Sequence, residues 1–237
     1  MNKRPKLLDL FCGVGGAAMG YQQAGFDVVG VDNKPQKHYP FKFYRGDALR
    51  VLANLIDKPS TKWAAIHASP PCQLYSVSRH THNKTHLDLV GPVRDLIQKT
   101  NIPYVIENVP GAPLIDPLVL CGTQFNLRAK DIDGEELWLK RHRLFESNVL
   151  LVSPGSCKCA EMRLKGITCG GVYGGGPQNR SKDNWKGYEV RRGGYTPCNE
   201  VKCSLMGIDW VKGIGINQAI PPAYTEYIGG YVFNYVT

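Results

Sequence analysis

Short apolar runs that alternate with helix-like segments constrain the fold of this 237-residue chain most strongly. Five runs have the length and composition of strands: residues 6–10, 28–31, 42–44, 63–67 and 104–106. Helical patterns at 17–24 and 87–99 separate some of them, and Gly25 is a natural helix stop. Strands that alternate with helices predict an α/β fold, with a parallel sheet covered by helices on both faces.

Two of these runs end in residues that can do chemistry. Pro70, Pro71 and Cys72 follow the fourth run, and Glu107 and Asn108 follow the fifth. Parallel strands would deliver the thiol and the carboxyl to one edge of the sheet, where open α/β sheets bind ligands. A lone cysteine is usually an inert buried residue, but this pairing of motifs favours a nucleophile with an acid beside it.

A glycine-rich turn follows the first run. Gly13, Gly15 and Gly16 lie where a strand leads into a helix, a place where the backbone can approach a ligand closely. Asp32 ends the next strand, where a carboxylate can hold ribose hydroxyls, and Asp47 follows the third. By itself the glycine pattern fits either a nucleotide site or a plain tight turn.

Taken together, these motifs closely resemble those of the DNA (cytosine-5) methyltransferase family, and the chain looks like a compact, phage-like or orphan member. The resemblance implies a Rossmann-like, S-adenosylmethionine-dependent methyltransferase sheet with a small, irregular target-recognition lobe. Composition turns rich in Gly, Lys, Arg, Asn and Ser after about residue 145. We therefore expect a catalytic and cofactor-binding domain at 1–143, the lobe at 144–211, and a segment at 212–237 that returns to the first domain.

The resemblance also implies a cofactor site for S-adenosylmethionine. Phe11 would pack on the adenine, the glycines would border the methionine part, and Asp32 and Asp47 would hold ribose and base. The full expected set is Phe11, Gly13, Gly15, Gly16, Asp32, Asn33, Asp47, Ala48, Pro70, Asn217 and Gln218. The family usually has Asn where this chain has Gln218, unless Asn217 takes that place.

The catalytic residues that the resemblance implies are Cys72, Glu107, Asn108, Arg141 and Arg143. Cys72 would add to carbon 6 of cytosine, Glu107 would protonate or hydrogen-bond ring nitrogen 3, and Asn108 would brace the loop. Arg141 and Arg143 match a Gln-x-Arg-x-Arg motif and would face the base and the catalytic loop, although Leu139 replaces its Gln.

The expected partner is double-stranded DNA from which the target base is flipped, bound by a monomeric enzyme. The formal net charge of +9 suits a polyanion, but only modestly favours nucleic acid by itself. Charge for the phosphates would come from the lobe: Lys158, Arg163, Lys165, Arg180, Lys182, Lys186, Arg191 and Arg192. Tyr173, Trp185 and Tyr188 are candidates for base or sugar contacts, or form the lobe's own core.

Eight cysteines and no secretion signal predict free thiols in a reducing cytoplasm, that of the host if the protein is phage-encoded. Cys157, Cys159, Cys169, Cys198 and Cys203 could form a zinc site, but Cys-Lys-Cys is tighter than the usual spacing. We therefore expect small buried hydrophobes and no metal. His80, His82 and His86 indicate a polar loop that closes over DNA rather than a metal site.

Three alternatives remain open from the sequence. A tRNA cytosine-5 methyltransferase shares much of this motif set, the Gln218 departure would fit a transferase that uses a modified S-adenosylmethionine, and a non-catalytic DNA-binding module could use the same fold. No apolar run reaches 18 residues, so no membrane span is expected.

Overall fold

The computed structural model describes residues 3–60, 62–75, 87–173, 194–211 and 213–237. Seven strands form its central sheet: β1 (Lys6–Leu10), β2 (Asp27–Asp32), β3 (Lys42–Arg45), β4 (Ala65–Ala68), β5 (Tyr104–Asn108), β6 (Leu118–Leu120) and β9 (Arg143–Ser147). The strand order is β3-β2-β1-β4-β5-β9-β6, in which the first five strands are parallel and β9 and β6 are antiparallel to their neighbours. The predicted α/β class and parallel sheet are confirmed.

Helices cover both faces of this sheet because successive side chains of a strand point to opposite sides. Leu7 packs in one apolar cluster with Tyr21 of α1 (Gly16–Gln23) and Tyr224 of α6 (Pro222–Val236). Its neighbour Leu8 packs in the other cluster, with Leu52 and Ile97. The helices of that second face are α2 (Ala48–Asp57) and α3 (Val90–Lys99).

The described residues also form a smaller sheet, together with two further α-helices. Its order is β11-β10-β8-β7, built from β7 (Arg128–Lys130), β8 (Glu136–Leu139), β10 (Cys169–Gly170) and β11 (Gly194–Tyr195). The helices are α4 (Cys159–Leu164) and α5 (Asn199–Met206). The expected boundary after residue 143 does not follow the strands: β9 crosses it within the central sheet, and β7 and β8 of the small sheet precede it.

The C-terminal helix packs against the first helix at very close range. A Cβ on Gly20 would collide with the Pro222 carbonyl oxygen and with Thr225, whose hydroxyl donates to the Ala17 carbonyl at 2.9 Å. The last element of the chain thereby covers the helix that follows the glycine-rich turn.

Several sequence-based expectations lie outside the described residues. They concern the histidine loop with His80, His82 and His86, and the lobe residues Arg180, Lys182, Trp185, Lys186, Tyr188, Arg191 and Arg192. Among the helices in the described part of the chain, none is both long enough and apolar enough to cross a lipid bilayer.

Candidate active site

The loop that carries Cys72 leaves the carboxyl end of β4 beside the end of β5. Asn108, the last residue of β5, donates its side-chain amide to the Pro70 carbonyl at 3.0 Å. The same side chain accepts from the Val109 backbone N–H at 2.9 Å. Asn108 is 1% exposed, so a buried amide fixes the backbone two residues before the thiol.

Glu107 and Arg143 form an ion pair at this edge of the sheet. The Arg143 Nε lies 3.0 Å from Glu107 Oε1, and both side chains are about nine-tenths buried. The two residues lie on β5 and β9, which pair antiparallel with Asn108 opposite Leu144. The Arg143 guanidinium also donates to the His142 carbonyl at 2.8 Å, which holds it in the orientation that meets the carboxylate.

The pKa values of Cys72 and Glu107 are both raised, and burial is the largest cause for each. Burial raises the pKa of the Cys72 thiol, the Glu107 charge raises it further, and Arg143 and Arg141 oppose both effects. Burial also raises the pKa of Glu107, against the lowering effect of the same two arginines. A carboxyl that holds its proton to higher pH can donate to a ring nitrogen, while the thiol needs a partner to take its proton.

Arg141 differs from the sequence-based expectation that it faces the substrate base. Its side chain is fully buried and donates to the backbone carbonyls of Val172, Asn217 and Ala219 at 2.6, 2.9 and 2.8 Å. Burial, with a further contribution from Arg143, lowers its pKa to about 9. Arg141 therefore joins the small sheet region and the C-terminal segment to the start of β9.

The glycine-rich turn contains three residues with positive φ: Phe11, Gly13 and Gly15. Phe11 has φ +57°, which a bulky residue adopts only under constraint, and Gly13 has φ +51°. The Gly13 N–H donates to Asp32 Oδ2 at 3.1 Å, and the Lys34 N–H donates to Asp32 Oδ1 at 2.9 Å. Each carboxylate oxygen keeps a second lone pair, so Asp32 can still accept from ribose hydroxyls.

Four other expected cofactor residues, Gly15, Gly16, Asp47 and Ala48, take part in the packing and capping of the fold. A Cβ on Gly16 would collide with the Ile220 carbonyl oxygen, so this glycine allows the C-terminal segment to approach. A Cβ on Gly15, whose φ is +85°, would lie 2.7 Å from Pro40 Cδ. Asp47 caps α2 by accepting from the Arg50 N–H at 3.0 Å. Ala48 begins that helix and is buried.

The C-terminal motif places Asn217 and Gln218 differently. The Asn217 Oδ1 accepts from Lys202 Nζ at 3.2 Å, and that ammonium also donates to the Tyr173 carbonyl at 3.1 Å. Lys202 is 7% exposed, and burial lowers its pKa. Gln218 is exposed, next to the half-buried Asn217.

Sequence reasoning missed a buried polar layer beneath the site. Asp9 and His67 are neighbours on β1 and β4 and lie within otherwise apolar strands. The His67 ring contacts the Tyr21 hydroxyl at 3.1 Å and the Ser69 hydroxyl at 2.8 Å, and Tyr39 donates to Asp9 at 3.4 Å. Burial raises the pKa of Asp9 and lowers that of His67 to about 3. The available signal was a polar residue at an apolar strand position.

The cysteines also depart from expectation. Cys121, Cys157 and Cys159 converge with His142, and their ligand atoms lie within 4.8 Å of one another. The sequence analysis grouped Cys169, Cys198 and Cys203 with Cys157 and Cys159. In the structure these three are free thiols outside the cluster.

Comparison with known proteins agrees with this architecture. Residues 5–114 match the family model described as "C-5 cytosine-specific DNA methylase". No significant match is found among curated proteins.

Two solved structures share the fold over almost the whole chain. A DNMT2 mutant from Spodoptera frugiperda has a TM-score of 0.56 and 12% identity, over 97% of this chain and 99% of that one. The methyltransferase EhMeth from Entamoeba histolytica has a TM-score of 0.53 and 11% identity, over 100% of both chains. The family match includes the glycine-rich turn, Cys72, Glu107 and Asn108, so the first half of the chain is similar to C-5 cytosine-specific DNA methylases in the segment that carries these motifs.

Proposed function

We propose that this protein transfers a methyl group from S-adenosylmethionine to carbon 5 of a cytosine in double-stranded DNA, through a covalent adduct with Cys72. One observation carries the proposal: the buried Glu107–Arg143 pair lies beside a half-buried thiol whose loop Asn108 holds. Nucleophilic addition to carbon 6 of a pyrimidine requires a thiol, a proton donor and a nearby cation. Cys72, Glu107 and Arg143 provide these three groups at one edge of the sheet.

In the proposed reaction the cytosine leaves the base stack, because a thiol cannot reach carbon 6 within the duplex. A solvent base takes the Cys72 proton, and the sulfur bonds to carbon 6. The electrons of the 5,6 double bond move to form a 4,5 double bond, and those of the 3,4 double bond pass to ring nitrogen 3, which takes the proton of Glu107. Carbon 5 then takes the methyl group from the sulfonium. A base removes the carbon 5 proton, the electrons left behind expel the thiolate and restore the 5,6 double bond, and ring nitrogen 3 returns its proton to Glu107.

The substrate assignment follows from the charge of the chain and from the family match. A net charge of +9 and a sequence rich in Lys and Arg between residues 158 and 192 fit a phosphate backbone, of either duplex DNA or tRNA. We assign duplex DNA because the family match is to DNA methylases. An RNA acceptor is the second candidate.

The experiment is transfer of a tritiated methyl group to duplex DNA and, in parallel, to tRNA. We expect label in cytosine of the duplex, and we expect Cys72→Ser to abolish it because an alcohol is a far weaker nucleophile. Cys203→Ser is the matched control, since it removes a half-buried thiol elsewhere in the chain. If label appears in tRNA and not in DNA, the substrate is RNA and the assignment of duplex DNA is wrong.

A second readout addresses the covalent step. Duplex DNA with 5-fluorocytosine at the methylated position should trap the wild-type protein in a denaturation-resistant adduct, because fluorine cannot leave as the carbon 5 proton does. Cys72→Ser should form no adduct. Methyl transfer by Cys72→Ser, or the absence of an adduct at a site that the enzyme methylates, would overturn the assigned nucleophile.

A further inference from the structure

Four side chains of types that can bind a metal, from three separate segments, meet at one point. Cys121 follows β6, His142 precedes β9, and Cys157 and Cys159 lie at the start of α4. Their four ligand atoms all lie within 4.8 Å of one another. Residues as much as 38 apart in sequence are thus brought to one point, and none of the four is among the expected catalytic residues.

The distances among these atoms fit a tetrahedral ion. The Cys121 and Cys159 sulfurs lie 3.5 Å apart, and the His142 Nε2 lies 3.3 Å from the Cys157 sulfur. With zinc–sulfur and zinc–nitrogen bonds of ordinary length, a tetrahedral site separates two sulfurs by about 3.8 Å and a sulfur from a nitrogen by about 3.5 Å. Both observed distances are slightly shorter than these values, so an ion requires only a small outward displacement of the ligand atoms in these two pairs.

Hydrogen-bond donors around the cluster favour deprotonated sulfur. The Thr123 hydroxyl lies 3.5 Å from the Cys121 sulfur and 3.6 Å from the Cys157 sulfur, and it accepts from the Lys158 N–H at 3.1 Å. The Cys159 N–H donates to the Cys157 sulfur at 3.4 Å. Such outer contacts orient the ligands of metal sites and stabilise thiolates.

Burial argues against the alternative that these cysteines only fill space. Cys157 is exposed and His142 is half-buried, whereas cysteines that serve as small hydrophobes are buried. The two sulfurs of Cys121 and Cys159 are also farther apart than the roughly 2.05 Å of a disulfide.

We propose that Cys121, His142, Cys157 and Cys159 bind one Zn²⁺ ion as a closed structural site. Three thiolates and one imidazole fill a tetrahedral shell and leave no position for a substrate, which is typical of structural zinc. The ion ties the end of β6 and the start of β9 to α4. Because His142 lies between Arg141 and Arg143, it also fixes the backbone that aims Arg143 at Glu107.

The test begins with the metal content of the full-length wild-type protein, purified under reducing conditions without chelator. We expect about one zinc ion per chain by mass spectrometry, because the four ligands form a single closed shell. Replacement of zinc by Co²⁺ should produce the visible absorption of tetrahedral cobalt with thiolate ligands. These measurements use the wild-type protein, so a variant that fails to fold cannot obscure them.

Variants then assign the ligands. Cys157→Ser and His142→Ala should lose the stoichiometric zinc, and Cys203→Ser, a thiol outside the cluster, should keep it. His142→Cys should restore binding with four thiolates and change the cobalt spectrum. The proposal is overturned if the wild type binds neither metal, if it carries a Cys121–Cys159 disulfide instead, or if Cys203→Ser loses zinc as Cys157→Ser does.

Discussion

Glu107 is the residue whose charge most directly controls the thiol next to it. Its carboxylate pairs with Arg143 at 3.0 Å, and its negative charge raises the pKa of Cys72. Removal of that charge has two consequences of opposite sign, one for the reactivity of the thiol and one for turnover.

We predict that Glu107→Gln lowers the pKa of Cys72 and nearly abolishes methyl transfer. The amide carries no charge, so a negative charge that raises the pKa of Cys72 is removed while the two arginines still lower it. An amide cannot deliver a proton to ring nitrogen 3, so turnover is lost. The measurement is the alkylation rate of Cys72 against pH, followed by mass spectrometry of the Cys72 peptide. Glu161→Gln, a change at an exposed carboxylate of α4, is the control. An unshifted or higher alkylation pKa would contradict the assigned contact.

A second prediction at this scale separates Asn217 from Gln218. Asn217→Ala removes an acceptor from the buried Lys202 ammonium, so we expect a loss of about 1–3 kcal/mol in the free energy of unfolding. Gln218→Ala changes an exposed side chain and should cost no more than about 0.5 kcal/mol. Urea denaturation measures both. Equal losses would show that the Lys202 contact contributes nothing to stability.

At the scale of elements, the packing of α6 on α1 depends on adjacent glycines with opposite environments. A Cβ on Gly229 would lie 2.6 Å from Ala24 Cβ and 3.2 Å from the Tyr21 ring, whereas a Cβ on Gly230 would meet nothing within 4 Å. Both residues lie inside α6, so they share the same helical backbone.

We therefore predict opposite effects for Gly229→Ala and Gly230→Ala. The first should destabilise by roughly 1–3 kcal/mol because the added methyl overpacks the contact between the helices. The second should stabilise by roughly 0.5–1 kcal/mol because alanine loses less backbone entropy in a helix. Thermal and urea unfolding of the two variants provide the comparison. A destabilised Gly230→Ala variant would mean that the two helices are not packed in this way.

At the scale of the molecule, the small sheet and the C-terminal segment share one apolar core. Leu137 and Leu139 of β8 pack with Val201 and Leu205 of α5, and the same cluster reaches the residues before α6. Arg141 crosses this junction, because its guanidinium binds carbonyls at Val172, Asn217 and Ala219.

We predict that Arg141→Met destabilises the whole protein by at least about 3 kcal/mol, because three buried carbonyls lose a charged donor. Arg128→Met, at an exposed ion pair, should change stability by less than about 1 kcal/mol. Urea denaturation and single-turnover methyl transfer are measured on the same samples. If Arg141→Met loses methyl transfer but keeps the same free energy of unfolding, Arg141 acts on the substrate, as the motif implies.

Much of the fold and part of the candidate site could be predicted because their signals are local. Apolar runs of strand length, the alternation with helices, and the motifs at Cys72 and Glu107 all lie within short stretches of sequence. Those local patterns were enough to predict the parallel sheet and to place the thiol and the carboxyl at one edge of it.

Only the tertiary structure decided what the other residues do, since their roles depend on neighbours that are distant in the chain. Gly16 faces the Ile220 carbonyl, Arg141 binds backbone beyond residue 170, and Cys121 meets Cys159. Long-range contacts set these roles, and the identity of the residues that touch across the fold leaves no periodic or local mark in a sequence. The residue types and the order of the elements were therefore readable from the chain, but which distant pairs touch was decided by how the layers pack.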